Sequence, residues 1–210
     1  MGMKITMIII SVVVLLAVVT VGCCLLRDRN TDATIPVTAK PTGKVAVVYF
    51  SQSKVGNTAT VAQWIAKHTG GDLIAIEPVE PYPEAYGDTL KAAKKDMDNG
   101  GVRPIKPVVG LDGCDVVFIG SPIWYGTYAP PVAEFFKTHT FAGKTVVPFC
   151  THGGGGEGRF FLDVGKACPE AAVKKGLVIR GSNQMERRLG SGVKSHHTED
   201  DVIRWLNEIF

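Results

Sequence analysis

The 210-residue chain is 45% hydrophobic, enough for one well-packed domain of the usual ~100–200 residues together with an appendage. Its formal net charge of +3 is spread along the sequence, with no basic block and no basic–aromatic interleaving, so nucleic acid is excluded as an expected partner. No G-x-S-x-G, H-E-x-x-H or zinc-ligand spacing occurs, and His196-His197 stands isolated; a hydrolase or a metalloenzyme is not expected, and neither is a metal site.

The appendage is Met1 to about Gly43, and residues 1–26 are its membrane-directed part. Ile5 to Leu26 is apolar apart from Thr, Ser and Gly, and at ~1.5 Å per residue such a run reaches across a bilayer core of roughly 30 Å. A membrane-directed segment is expected in one of two forms. One is an uncleaved transmembrane anchor, for which Arg27 and Arg29 would favour a cytoplasmic domain. The other is a signal peptide, since Thr20-Val21-Gly22-Cys23 resembles a bacterial lipoprotein box with Cys23 as the lipidated N-terminus; the domain would then lie on the opposite side. Residues 27–43 are polar, hold two prolines and lack an apolar period, which reads as a linker spanning on the order of 20 Å. Cys114, Cys150 and Cys168 are scattered without a C-x-x-C pair, a mild argument for a reducing compartment.

Residues 44–210 alternate strand and helix signals. Val45 to Phe50 is a continuous apolar run typical of a strand buried on both faces. From Asn57 the period becomes helical, with Val61, Trp64 and Ile65 on one face and Asn57 or Thr58 as the N-cap. Asp72 to Glu77 reads as a strand, residues 78–83 as a break, and Glu84 to Met97 as a helix with Leu90 and Met97 inward. Asp115 to Gly120 is a central strand and Pro130 to Lys137 the helix behind it. Lys144 to Cys150 and Leu177 to Arg180 are further strands, while Gly158 to Cys168 and Glu199 to Phe210 are helices. Right-handed βαβ crossovers make this a doubly wound α/β domain with a five-stranded parallel sheet, order 2-1-3-4-5. Ligands in such folds bind at the carboxyl ends of strands beside the switch point, here the first, third and fourth.

Each of those ends carries unusual residues. The first strand runs into Ser51-Gln52-Ser53-Lys54-Val55-Gly56-Asn57-Thr58, a loop that brings helix N-terminal N–H groups and the hydroxyls of Ser51, Ser53 and Thr58 to one point, as a phosphate requires. The third runs into Gly120-Ser121-Pro122-Ile123-Trp124-Tyr125-Gly126-Thr127-Tyr128, whose three large aromatics suit a flat π-system better than a loop with no interior of its own. The fourth is followed by Thr151-His152 and four consecutive glycines from Gly153, an entropic cost that suggests close approach of something to the main chain. Trp64 and Trp205 fall at helical positions and read as core.

The first loop resembles the phosphate loop of the flavodoxin family, most securely at Ser51 and Gly56-Asn57-Thr58. The second resembles the branch of that family spelled Gly-x-Pro-Ile-Trp, here Pro122, Ile123 and Trp124. The resemblance implies FMN. Its 5′-phosphate would sit at the first loop, Trp124 and Tyr125 would pack near the benzenoid side, and the Gly126 backbone near N5. Thr151, His152, Gly153 and Gly154 would lie along the pyrimidine edge, where donors offset negative charge developing on reduction. No catalytic residue beyond the flavin is expected.

Two features depart from the short electron carriers that the family includes. Those usually place a Tyr in the loop after the fourth strand, and they are acidic around the cofactor. Here the loop has glycines and His152, and the chain is slightly basic. The expectations are therefore an electron-transfer FMN protein tethered at a membrane, an NAD(P)H-dependent quinone reductase, or a non-redox binding module on the same fold.

Overall fold

The computed structural model describes residues 35–52, 56–181 and 198–210. Ser53, the lipoprotein-box residues and His196-His197 lie outside the described residues. Five helices and a parallel sheet with a short antiparallel hairpin make up the described fold. In chain order these are β1 (Val45–Tyr49), α1 (Asn57–Thr69), β2 (Asp72–Ala75), α2 (Tyr86–Asp98), β3 (Val116–Trp124), β4 (Thr127–Tyr128), α3 (Pro130–Thr138), β5 (Thr145–His152), α4 (Phe160–Ala167), β6 (Ala172–Val173), β7 (Leu177–Arg180) and α5 (Glu199–Ile209).

The sheet runs β2-β1-β3-β5, and its last position is shared by β6 and β7, which both pair with β5 in parallel. This is the 2-1-3-4-5 order with the fifth strand broken at Lys174–Gly176. Gly176 marks the break, since a Cβ there would meet the Phe161 ring at 2.0 Å and the Pro148 carbonyl oxygen at 2.6 Å.

Side chains alternate across the central strands with the period of two that a pleat imposes. Ala46, Val48, Val117 and Ile119 face a core closed by Ala93 of α2, Val132, Phe135 and Phe136 of α3, and Phe160 and Val164 of α4. Val45, Val47, Phe118 and Phe149 face a second core closed by Val61 and Ile65 of α1 and Val202, Trp205 and Leu206 of α5. Each of the larger aliphatic and aromatic side chains among them, once fully buried, contributes about 1.5–3 kcal/mol. Trp205 stacks edge-on to Phe118 at 5.9 Å, while Trp64 is half-buried against the same core. Between them the two cores cover both faces of the sheet, so its functional surface is confined to the strand ends.

Several local expectations need correction. The N-cap of α1 is Gly56, and Asn57 and Thr58 are its first two helical residues. Leu90 points outward at 39% exposure, because the buried residues of α2 are Thr89 and Ala93. β3 continues four residues beyond Gly120, since Ser121 and Pro122 still pair with Cys150 and Thr151 of β5. Residues 36–39 of the expected linker lie along α5, with Asn207 accepting from the N–H groups of Thr38 and Ala39 and donating to the Pro36 carbonyl. Among the described residues no helix is long and apolar enough to cross a membrane.

Candidate functional site

The extension of β3 builds the centre of the site. Trp124 pairs with Thr127 across a two-residue turn in which Tyr125 has φ 50° and Gly126 φ 79°, the left-handed pair of a type I′ hairpin. Glycine adopts that backbone freely and tyrosine at a cost of about 1–2 kcal/mol, so the surroundings must hold Tyr125 in place. Its hydroxyl donates to the Leu90 carbonyl at 2.9 Å. The Gly126 carbonyl accepts from the Arg159 N–H at 2.7 Å, and Thr127 donates to Asp163 at 2.7 Å. Below the turn, buried Ser121 accepts from the Ala129 N–H and donates to the Pro122 carbonyl, which fixes where α3 begins.

The three aromatics of this stretch therefore have different surroundings. Trp124 is half-buried, edge-on to Phe50 (5.5 Å) and Tyr82 (4.9 Å). Tyr128 packs against Phe136 and Phe160. Tyr125 alone is exposed, at 49%. Contrary to expectation, Trp124 and Tyr128 do have an interior to pack against, because the segment is strand and hairpin rather than loop.

The end of β1 lies beside this platform. Phe50 continues the strand with its N–H donating to the Gly120 carbonyl, and Gln52 donates from its carboxamide to the Pro83 carbonyl at 3.1 Å. The first intrahelical bond of α1 runs from Thr60 N–H to Gly56 O, so the N–H groups of residues 57–59 emerge from the helix end. No acidic residue occupies the first turn, and Lys67 and His68 occupy the last, the polarity that suits an anion at the N-terminus. The Asn57 carboxamide packs on Gly181, where a Cβ would meet its nitrogen at 1.9 Å.

The end of β5 closes the third side. Thr151 is buried, with its hydroxyl 2.7 Å from that of Thr58. Nδ1 of His152 accepts from the N–H groups of Gly154 and Gly156, both at 3.0 Å, so the ring proton resides on Nε2. The Gly154 N–H is thus turned inward to His152. Gly153, Gly154 and Gly155 are exposed, and a Cβ at any of them would meet nothing within 4 Å. Gly158, at φ 57°, is pressed against the hairpin, with a Cβ falling 2.3 Å from the Gly126 oxygen. Beneath the loop, burial pushes the Cys150 thiol up to about 12, with Glu157 adding to the shift, so it stays protonated and offers no thiolate chemistry.

The site thus unites Ser51, Gly56, Asn57 and Thr58 with Pro122, Ile123, Trp124, Tyr125 and Gly126 and with Thr151, His152, Gly153 and Gly154, on the adjacent ends of β1, β3 and β5. Phe50, Ser121, Tyr82 and Gly158 join them unannounced by the sequence. From the sequence Phe50 reads as plain strand and Ser121 as loop, and Tyr82 sits in a proline-rich break whose packing no period reveals. Gly158 could have been suspected as the last of a glycine-rich run.

The arrangement suits a flavin: a helix N-terminus for a phosphate, a half-buried indole beside the ring system, and glycines that leave the main chain open to close approach. The flavodoxin family model matches residues 44–208. A Bacteroides eggerthii protein assigned to the flavoproteins is 29% identical, with a TM-score of 0.64 over 80% of this chain and 98% of that one. One from Bacteroides uniformis is 25% identical, also at a TM-score of 0.64, over 78% of this chain and 97% of that one. A Lactobacillus acidophilus flavoprotein solved in complex with FMN is 20% identical, with a TM-score of 0.53 over 71% of this chain and 99% of that one; at that identity the likeness shows the shared fold. Among the curated proteins none matches.

Proposed function

From the premise that the chain belongs to the flavodoxin family, we propose that it binds FMN at the ends of β1, β3 and β5 and transfers electrons through it, held at a membrane by the apolar segment Ile5 to Leu26. The observation that carries this reading is the convergence of three chemically different segments on the carboxyl end of the sheet: an anion-ready helix N-terminus after β1, a braced indole at the end of β3 and an open glycine loop after β5. When bound, FMN supplies the redox chemistry.

The residues of this chain bind and orient. N–H groups at the start of α1 hold the phosphate, with Ser51 and Ser53 as further hydroxyl donors. Trp124 gives the ring system a face to stack on, worth about 0.5–1.5 kcal/mol beyond area burial. Residues 151–153 set donors beside the pyrimidine edge, while the Gly154 and Gly156 N–H groups anchor Nδ1 of His152 and keep it from swinging away. Preorganised donors at that edge favour the reduced state.

The exposed glycines after β5 favour a second reading. With no ring placed there, the flavin face on that side would stay open to a hydride donor and to an acceptor such as a quinone, as a reductase needs. Anaerobic titration of the FMN-loaded full chain with NADH and NADPH separates the two. Bleaching of the flavin band within seconds identifies a reductase; a band that resists both donors yet bleaches with dithionite identifies an electron carrier.

A further inference from the structure

Tyr82 is only 5% exposed, although it belongs to residues 78–83, which form no helix and no regular strand. Backbone bonds hold this arm against residues 104–106: Val79 N–H donates to the Pro104 carbonyl, Lys106 N–H donates to the Glu77 carbonyl, and Pro78 bridges Ile105. Side chains lock it further. The Tyr82 hydroxyl donates to Asp96 Oδ2 at 2.6 Å, and Arg103 Nη1 donates to the same oxygen at 2.8 Å. The Arg103 guanidinium also lies 4.0 Å over the Tyr82 ring while its Nε donates to the Glu80 carbonyl. Burial, with Asp96 beside it, pushes the Tyr82 hydroxyl well above its ordinary range, so it remains a donor at physiological pH.

The arm touches both halves of the site. Tyr82 meets the Trp124 indole at 4.9 Å with an interplanar angle of 80°, and the Pro83 carbonyl accepts from Gln52 in the loop after β1. We propose that the 78–83 arm, locked by Asp96 and Arg103, is the positioning element of the flavin site, fixing the orientation of Trp124 through Tyr82 and holding Gln52, just past the end of β1, through the Pro83 carbonyl. This rests on the reading that FMN binds there. Trp124 has two perpendicular aromatic neighbours, Phe50 and Tyr82; Phe50 is fixed by the sheet, so the clamp on Tyr82 decides whether the indole has one firm contact or two. Asp96 and Arg103 are 17% and 12% exposed. A partly buried, hydrogen-bonded ion pair of this kind adds registry where apolar packing would let an irregular arm slide.

The test labels the full chain with 5-fluorotryptophan and follows its three tryptophans by fluorine NMR, alongside FMN affinity from flavin fluorescence. Trp64 and Trp205 pack against the opposite face of the sheet and report global folding. Asp96→Asn is expected to shift or broaden the Trp124 resonance in the flavin-free chain, leave the other two in place, and weaken FMN about three- to tenfold. Arg103→Lys, which keeps the charge but loses the fork, is expected to do the same to a smaller extent. An unmoved Trp124 resonance, an unchanged FMN affinity, or a shift of all three resonances together would overturn the proposal. Absence of FMN binding by the unsubstituted chain would overturn the proposed function and with it the flavin role of the arm, while the resonances would still report on the clamp itself.

Discussion

The hydroxyls of Thr58 and Thr151 meet at 2.7 Å in a buried contact across 93 residues of sequence. They tie the first turn of α1 to the end of β5, so the loops assigned to the phosphate and to the pyrimidine edge share one fastening. Replacing either by Val leaves the other hydroxyl buried without its partner, at a cost of about 1–3 kcal/mol, whereas replacing both removes the need for the bond. Urea unfolding of Thr58→Val, Thr151→Val and the double variant should give a double loss well below the sum of the singles. Additive losses would mean that the contact carries no coupling.

The glycines after β5 divide into two kinds. Gly158→Ala puts a Cβ into the Gly126 carbonyl at a left-handed backbone position and should cost about 2–4 kcal/mol. Gly153→Ala meets only open space, and the flavin-free chain should change by less than about 0.5 kcal/mol. If the open cradle exists for the cofactor, Gly153→Ala should nonetheless weaken FMN binding. Thermal melts paired with FMN titrations of both variants read out these effects, and full FMN affinity in Gly153→Ala would count against the cradle.

At the far end of α1, Glu199 accepts from Lys67 Nζ and contacts His68 Nε2, both at 2.6 Å. The hydrogen bond from Lys67 holds its carboxyl below the ordinary 4.5, against an opposing effect of burial. A lowered folded-state value means that the unfolded chain binds the proton more readily. The stabilisation is therefore complete above the unfolded value and is lost as pH falls through the folded one. Lys67 is 64% exposed, so the contribution stays below about 1 kcal/mol. The stability gap between the native chain and Glu199→Gln should be open at neutral pH and close in acid; a gap that widens in acid would contradict the assignment.

The layer architecture was legible because Val45 to Phe50 and Val116 to Gly120 are unbroken apolar runs, and because amphipathic helical periods alternate with them. The three site loops were legible from their unusual composition. What escaped the sequence was geometry set by contacts distant in the chain. The continuation of β3 through Pro122 depends on β5 accepting it as a neighbour, and the I′ turn places a tyrosine at positive φ where local preference calls for Asn or Gly. Tyr82 acquires its place only through Asp96, Arg103 and Trp124, none of which a local pattern links to it. Leu90 lies outside because α2 fully buries only the small residues Thr89 and Ala93, a narrower face than the spacing of its apolar residues suggests.

The central claim is that FMN binds on the adjoining ends of β1, β3 and β5, and an FMN titration followed by flavin fluorescence tests it most directly. The full chain should quench FMN with a 1:1 end point. Trp124→Ala should weaken binding about ten- to a hundredfold through the lost ring contact, and Asn57→Ala and Thr58→Ala should weaken it by loosening the start of α1, which Gly181 and Thr151 hold in place. No quenching by the native chain, or one affinity shared by all four proteins, would contradict the account.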